Sequence, residues 1–269
     1  MLASRLPKEV IMLKHSDEWL RCADAGMIEG AEVIYKFGKL SGGMKSSYAP
    51  VTHDGLYRTP TVPVTLEAVS DSIEDDVGGT GGLTVTLEGI DENWERQKIE
   101  VQLNGLTPVA ISGSWLRVYR VRLTGSNVYA NQNASSHKGE ITIREASAGQ
   151  TWSTLPVESS FGVSTSLIGW FTVPKGYTAH IINEQLFTQS NRAVEIIVAE
   201  REQANKITSP YEPMKWNQIH YGSEGGHVSS PKGIGKELVG PCDIGYLAKS
   251  TANAATCAVM FQILLVKVY

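Results

Sequence analysis

The feature that most constrains this chain is an alternation of period two between residues 83 and 123. Leu83-Thr-Val-Thr-Leu-Glu88, Ile99-Glu-Val-Gln-Leu103 and Trp115-Leu-Arg-Val-Tyr-Arg-Val-Arg-Leu123 each alternate apolar and polar side chains. On a strand, that puts Leu83, Val85 and Leu87 on one face and Thr84, Thr86 and Glu88 on the other. Three such runs separated by turn-rich segments read as an antiparallel meander with one buried face. Helix-period patterning is almost absent, and no solenoid-type repeat appears. The expected fold class is all-β.

At 269 residues the chain is long for one β-domain and comfortable for two. A formal charge of −4 gives no basic stripe of the kind nucleic acid selects, so no nucleic-acid partner is expected. No apolar run is long enough to cross a bilayer as a helix, and no membrane partner is expected. Residues 1–7 run into Lys8, Glu9, Lys14 and His15 without an apolar centre, so export by the general secretory route is not expected. Cys22, Cys242 and Cys257 lack any C-x-x-C spacing; buried free thiols are expected rather than a disulfide framework or zinc knuckle.

Residues 1–50 read as an extended amino-terminal arm, ordered by a partner or packed back on its own domain. Within it Asp17 to Gly26 is expected as a short helix and Ala31 to Phe37 as a strand. Residues 51–150 form the first expected β-domain. It opens with a strand at Val62 to Val69 and closes with one at Glu140 to Arg144, and Asn104-Gly105 marks a tight turn. Residues 151–269 form the second. Ile168 to Val173 and Tyr177 to Ile182 flank Pro174-Lys-Gly176 and read as a hairpin, and Ala193 to Arg201 reads as another strand. The run Cys257 to Tyr269 is apolar on both faces, which suits the middle of a sheet. The architecture expected is two consecutive β-sandwich or jelly-roll-like domains.

Candidate chemistry is sparse. Gly78-Gly-Thr-Gly-Gly82 precedes a strand, with no helix after it, so it reads as a turn and not as a phosphate loop. Asp71, Glu74, Asp75 and Asp76 offer oxygens for calcium but lack the EF-hand spacing, so a solvated turn is the simpler reading. His220, Glu224 and His227 lack a third ligand at zinc spacing, and His15, His53, His137 and His180 are scattered. No G-x-S-x-G elbow occurs, and the carboxylate pairs available for glycoside cleavage are those any β-protein offers. No catalytic residue, cofactor or metal is therefore assigned. Trp115 and Trp170 begin strands and are expected in the core or at its rim. Trp94 and Trp216 sit in polar surroundings and, with Trp19, Tyr35 and Phe37, are the interface candidates.

Gly79-Thr-Gly-Gly-Leu-Thr-Val-Thr-Leu-Glu-Gly-Ile-Asp91, Val101-Gln-Leu-Asn-Gly-Leu-Thr-Pro-Val109 and Trp115-Leu-Arg-Val-Tyr-Arg-Val121 together resemble a module of tailed-bacteriophage virion proteins. Tyr35-Lys-Phe-Gly38 and Gly55-Leu-Tyr57 look like that family's lead-in, and Phe171 to Ala179 is similar to its "TVPAGYTA" segment. The loop from Gly125 to Gly139, rich in Asn and Ser, departs from the pattern. The resemblance covers most of residues 33–182 and carries no catalytic residues. It implies a non-enzymatic structural protein of the virion, assembled in the host bacterial cytoplasm. Capsid decoration or a head–tail accessory role would fit. Its partners would be other copies of itself, as a trimer or ring, and other capsid, tail or connector proteins. A tail-fibre-type module that grips a host glycan is the alternative reading; a glycosidase or lyase is the third.

Overall fold

The structure, a computed structural model, describes residues 17–40, 46–128, 135–158, 161–188, 194–219, 226–231, 236–250 and 255–268. Helix α1 (Asp17–Asp24) comes first. It ends where Gly26 takes φ 71° and Met27 N donates to Cys22 O at 2.9 Å, a left-handed C-cap. Strands β1 (Ala31–Leu40) and β2 (Ala49–Pro50) follow. Next come β3 (Val64–Ser70), β4 (Gly82–Ile90), β5 (Arg96–Gln102), β6 (Val109–Trp115), β7 (Arg117–Ser126), β8 (Ile141–Glu145) and β9 (Thr151–Leu155). A short ribbon of β10 (Val157–Glu158) and β11 (Phe161–Gly162) leads to β12 (Trp170–Val173), β13 (Tyr177–Thr188), β14 (Val194–Arg201) and β15 (Glu212–Ile219). The chain finishes with β16 (Gly226–Pro231), β17 (Leu238–Val239), β18 (Cys242–Ser250) and β19 (Cys257–Lys267).

Strands β3 to β9 make one sandwich. A sheet ordered β6-β3-β8-β9 faces a sheet ordered β5-β4-β7. The alternation read from the sequence sends Val85 and Leu87 into the space between them, with Leu66, Ile111, Trp115, Val121, Ile143 and Leu155.

The other strands make a second sandwich, with sheets ordered β1-β19-β13-β16 and β12-β18-β14-β15. Among the described residues its longer strands run, in chain order, β1, β12 to β16, β18, β19. Counted that way, one sheet is first-eighth-third-sixth and the other second-seventh-fourth-fifth. That is the strand order of a jelly roll. The first sandwich is inserted between the first and second strands of the jelly roll.

Several sequence expectations meet their outcome here. The fold is all-β, and β19, apolar on both faces, does lie inside its sheet. The amino-terminal segment is the main revision. Every residue of β1 from Ala31 to Leu40 has a partner on β19, and β2 pairs with β18. Packing back is thus the reading that holds for these residues, because Ile34 and Leu40 belong to the jelly-roll core. Residues 1–16 and 41–45 lie outside the described residues. The meander is revised too: β4, β5 and β7 do share one sheet, but β4 is central, because β6 crosses to the opposite sheet. The hairpin expected around Pro174-Lys-Gly176 is an arch. Strands β12 and β13 lie in different sheets, since their apolar faces meet across the core instead of pairing edge to edge. Finally, β9 pairs with β8, so residues 151–155 belong to the first sandwich. Thr151-Trp-Ser-Thr-Leu155 alternates too weakly to be read as a strand beforehand.

Among the contacts that join the sandwiches, two are central. Where β4 meets β7, Glu88 pairs with Arg120 and Gly89 with Val118, leaving Tyr119 as the extra residue of a bulge. The bulge turns Tyr119 out of its own sandwich and into the jelly-roll core, where its ring packs 4.8 Å from that of Phe171. Beside it, Arg117 donates from Nε and Nη2 to Asp243 of β18, both at 2.9 Å. Thr172 Oγ1 donates to the same carboxylate at 2.7 Å. Both members of the Arg117–Asp243 pair are fully buried. Burial pulls the Arg117 pKa down, but the Asp243 charge and hydrogen bonds outweigh it and the net shift is upward.

Candidate functional site

The polar face of β4 builds the site. Glu88 lies opposite Lys98 on β5 and Arg120 on β7, and Thr86 lies opposite Glu100 and Arg122. Period-two geometry puts all of these on the outward face of the sheet, as a cross-strand ladder. Across from this ladder runs β1, the outermost strand of its sheet. Between them is a cleft of about 800 Å³ that wraps the free edge of β1 and is lined by residues 32–37 and Met260 on that side.

The walls differ in chemistry. On the β1 side, Tyr35 and Phe37 project outward, 53% and 40% exposed, and Met260 stands opposite Phe37 on β19. Tyr35 Oη donates to Asp24 of α1 at 2.8 Å. On the ladder side, Arg120 Nη1 and Arg122 Nη2 donate to the two oxygens of Glu88 at 3.2 and 2.6 Å. Arg120 also donates to the Tyr35 carbonyl, capping the strand edge, and Arg96 pairs with Glu32. Lys36 points under the ladder, is 4% exposed, and donates to the Tyr119 carbonyl. Burial holds its pKa well below the ordinary value, Arg120 pushes the same way, and Glu88 opposes them only in part. Burial also lowers the pKa of Arg120, against the pull of Glu88.

Four cations line the cleft (Arg96, Lys98, Arg120, Arg122), with Lys36 buried beneath them, against two carboxylates (Glu32, Glu88). This local positive excess sits in a chain whose formal charge is −4. Both carboxylates are already held by arginine, and Arg122 Nε is buried with no hydrogen-bond partner. The arrangement suits binding of an anionic group beside an apolar one.

Of the interface candidates, Tyr35 and Phe37 come together here. Trp94 does not. It adopts φ 64°, lies half-buried against the jelly-roll core, and stacks under Arg117 at 5.0 Å, so it belongs to the joint. Trp19 is half-buried in a small cluster between α1 and the jelly-roll sheet with Ala23, Ala31 and Leu264. The side chain of Trp216 lies outside the described residues. Trp115 and Trp170 are buried. The sequence reading missed Lys36, Arg96, Arg120 and Arg122, although arginine at alternate positions of the run from Trp115 to Leu123 was a visible signal.

The acidic loop is built, not merely solvated. Asp75 is fully buried, and its oxygens accept from Gly82 N at 2.7 Å, Lys138 N at 2.9 Å, Ser70 Oγ at 2.6 Å and Gly139 N at 2.9 Å. Those four donors take the lone pairs a calcium ion would need. The glycines around it are there for closeness: a Cβ on Gly81 would sit 2.1 Å from Asp75 Oδ1. Among the described residues, no group of three or more His, Cys, Asp or Glu is placed to hold a metal. His220 and Glu224 lie outside the described residues, as does the side chain of His227. Cys242 and Cys257 are buried free thiols whose pKa burial pushes up to about 12, whereas Cys22 is half-buried.

Neither a family model nor a curated protein matches the sequence. Among solved structures, the infectious bursal disease virus VP2 subviral particle aligns at 8% identity over 90% of this chain and 78% of that one, with a TM-score of 0.19. The tandem CBM22-1–CBM22-2 domain of Paenibacillus barcinonensis Xyn10C aligns at 12% identity over 89% of this chain and 92% of that one, with a TM-score of 0.20. At these TM-scores the likeness carries no argument, and function rests on the chain's own geometry.

Proposed function

We propose that this chain is a non-enzymatic structural protein of a virion, of the capsid-decoration or head–tail accessory kind found in tailed bacteriophages. The observation that carries the reading is a jelly roll, an architecture used by viral coats and lectins, with a second β-sandwich inserted after its first strand. The step from fold to role is an analogy. The virion-module resemblance of residues 33–182 supports it independently, as does a cleft whose carboxylates are tied to arginine and whose surplus is cationic and aromatic. In this role the jelly roll is the scaffold and the inserted sandwich presents the contact surface. Particles of the encoding virus assembled without this protein should bind it when it is added back, as read by co-sedimentation and imaging of the labelled chain on head or tail. Particles that leave it in the supernatant would overturn the reading.

A second reading rests on Tyr35 and Phe37, two exposed rings on one face of β1 beside cations. That pairing suits an acidic host glycan. A glycan array probed with the protein and with Tyr35→Ala and Phe37→Ala variants tests it; binding that survives both substitutions removes the cleft from consideration.

A further inference from the structure

The cleft has a counterpart elsewhere on the same chain. Anchored by the buried Asp75, the loop after β3 turns Ile73 and Val77 outward, 71% and 56% exposed, beside exposed Leu106. The turn at Gly105 lies against the Ile73 backbone, so Ile73 and Leu106 belong to one tip. Asp71 and Glu74, both exposed, and half-buried Asp76 rim it. An apolar knob with an acidic rim stands at one end of the first sandwich. Farther along β4, the basic ladder on the outward face of that sandwich looks across at the apolar wall of β1 and Met260.

We propose that the cleft receives the acidic tip of a second copy of this chain. Ile73 and Val77 would meet Tyr35, Phe37 and Met260, while Asp71, Glu74 and Asp76 would face Lys98, Arg122 and Arg96. Complementarity holds in both charge and polarity, and surplus charge on each side steers the encounter. A chain does not fill its own cleft. Gly82, beside the tip, and Glu88, in the cleft, lie on one strand, about 20 Å apart at ~3.3 Å per residue, and the Asp75 anchor holds the loop at its end. Because the two surfaces differ, the contact is head-to-tail and generates a ring, or a filament if rotation does not close it. The inference rests on reading the chain as an assembling structural protein and names the occupant of that site.

The test is association measured by light scattering across protein and salt concentrations. One variant carries Ile73→Lys with Val77→Lys; the other carries Phe37→Glu with Lys98→Glu. All four positions are exposed side chains. Wild type should associate, less so at high salt. Each variant alone should associate at least about tenfold more weakly, since like charges then meet across the contact. An equimolar mixture should regain association, because each variant supplies the surface its partner complements, and that recovery also shows that both are folded. A monomeric wild type, a variant that assembles normally, or a mixture that stays apart would each overturn the contact. Particle attachment retained without self-association would remove this contact and leave the structural role standing. Self-association without particle attachment would do the reverse.

Discussion

Two arginine–carboxylate groups lie within a few residues of each other on β7, and they are built to opposite ends. Arg117 and Asp243 are sealed, bidentate and matched one to one, with Thr172 Oγ1 and Tyr211 Oη completing the carboxylate's hydrogen bonds. Glu88 is shared by Arg120 and Arg122 at a cleft wall, with cations to spare. A saturated pair has nothing left to offer a partner and serves the joint. An unbalanced ladder leaves donors over, and those are what a second molecule can use. The bulge at Tyr119 separates the two groups, re-aiming one residue so that charge on one side of it is buried and on the other displayed.

The comparison breaks most sharply at the joint. Arg117→Ala leaves a carboxylate buried without its cation and should cost about 3–5 kcal/mol in denaturant unfolding, whereas Arg117→Met with Asp243→Leu should cost far less. A double replacement as costly as the single one would mean that the pair does more than neutralise itself. Asp75→Ala comes next: it strips four donors of their acceptor and should cost about 3 kcal/mol, loosening the tip without touching the cleft.

Lys36 sharpens the contrast by its pH dependence. Its folded pKa is lowered, so between that value and the ordinary 10.5 the unfolded chain holds the extra proton. Stability therefore gains from this residue as pH rises through that window. Lys36→Met should be more stable relative to wild type at neutral pH, with the advantage shrinking toward pH 10.5. Unfolding midpoints at neutral and alkaline pH read this, and a difference independent of pH would deny the burial penalty. The smallest effect belongs to the ladder: Arg122→Ala should change stability by about 1 kcal/mol, because Arg122 is itself partly exposed and Glu88 keeps its pair with Arg120. A loss approaching that of Arg117→Ala would erase the distinction drawn between the two groups.

What the sequence disclosed follows from which forces are local. Alternation in β4, β5 and β7 and the apolar β19 were legible because burial on one or both faces writes itself into successive residues. Tyr35 and Phe37 could be picked out as interface candidates on an expected strand, but which face they take is set by the pairing of β1 with β19. The insertion of one sandwich into the other was not, because β1 and β19 find each other across the whole chain and nothing near Ala31 names its partner. Trp94 misled because a polar neighbourhood in sequence became a packed joint once Arg117 lay over its ring. The cleft needed both sandwiches before it existed.

The pairing of β1 with β19 also sets the order of events at the ribosome. More than two hundred residues separate Leu40 from its partner Cys257. At synthesis rates of ~5–20 residues per second, the first strand emerges roughly 10–40 s before the last one. The inserted sandwich, whose strands are close in sequence, has time to fold in that interval while the jelly roll stays open. Nascent β1 therefore spends that interval without its partner strand, and the inserted module is finished cargo on a scaffold that closes only once β19 has emerged.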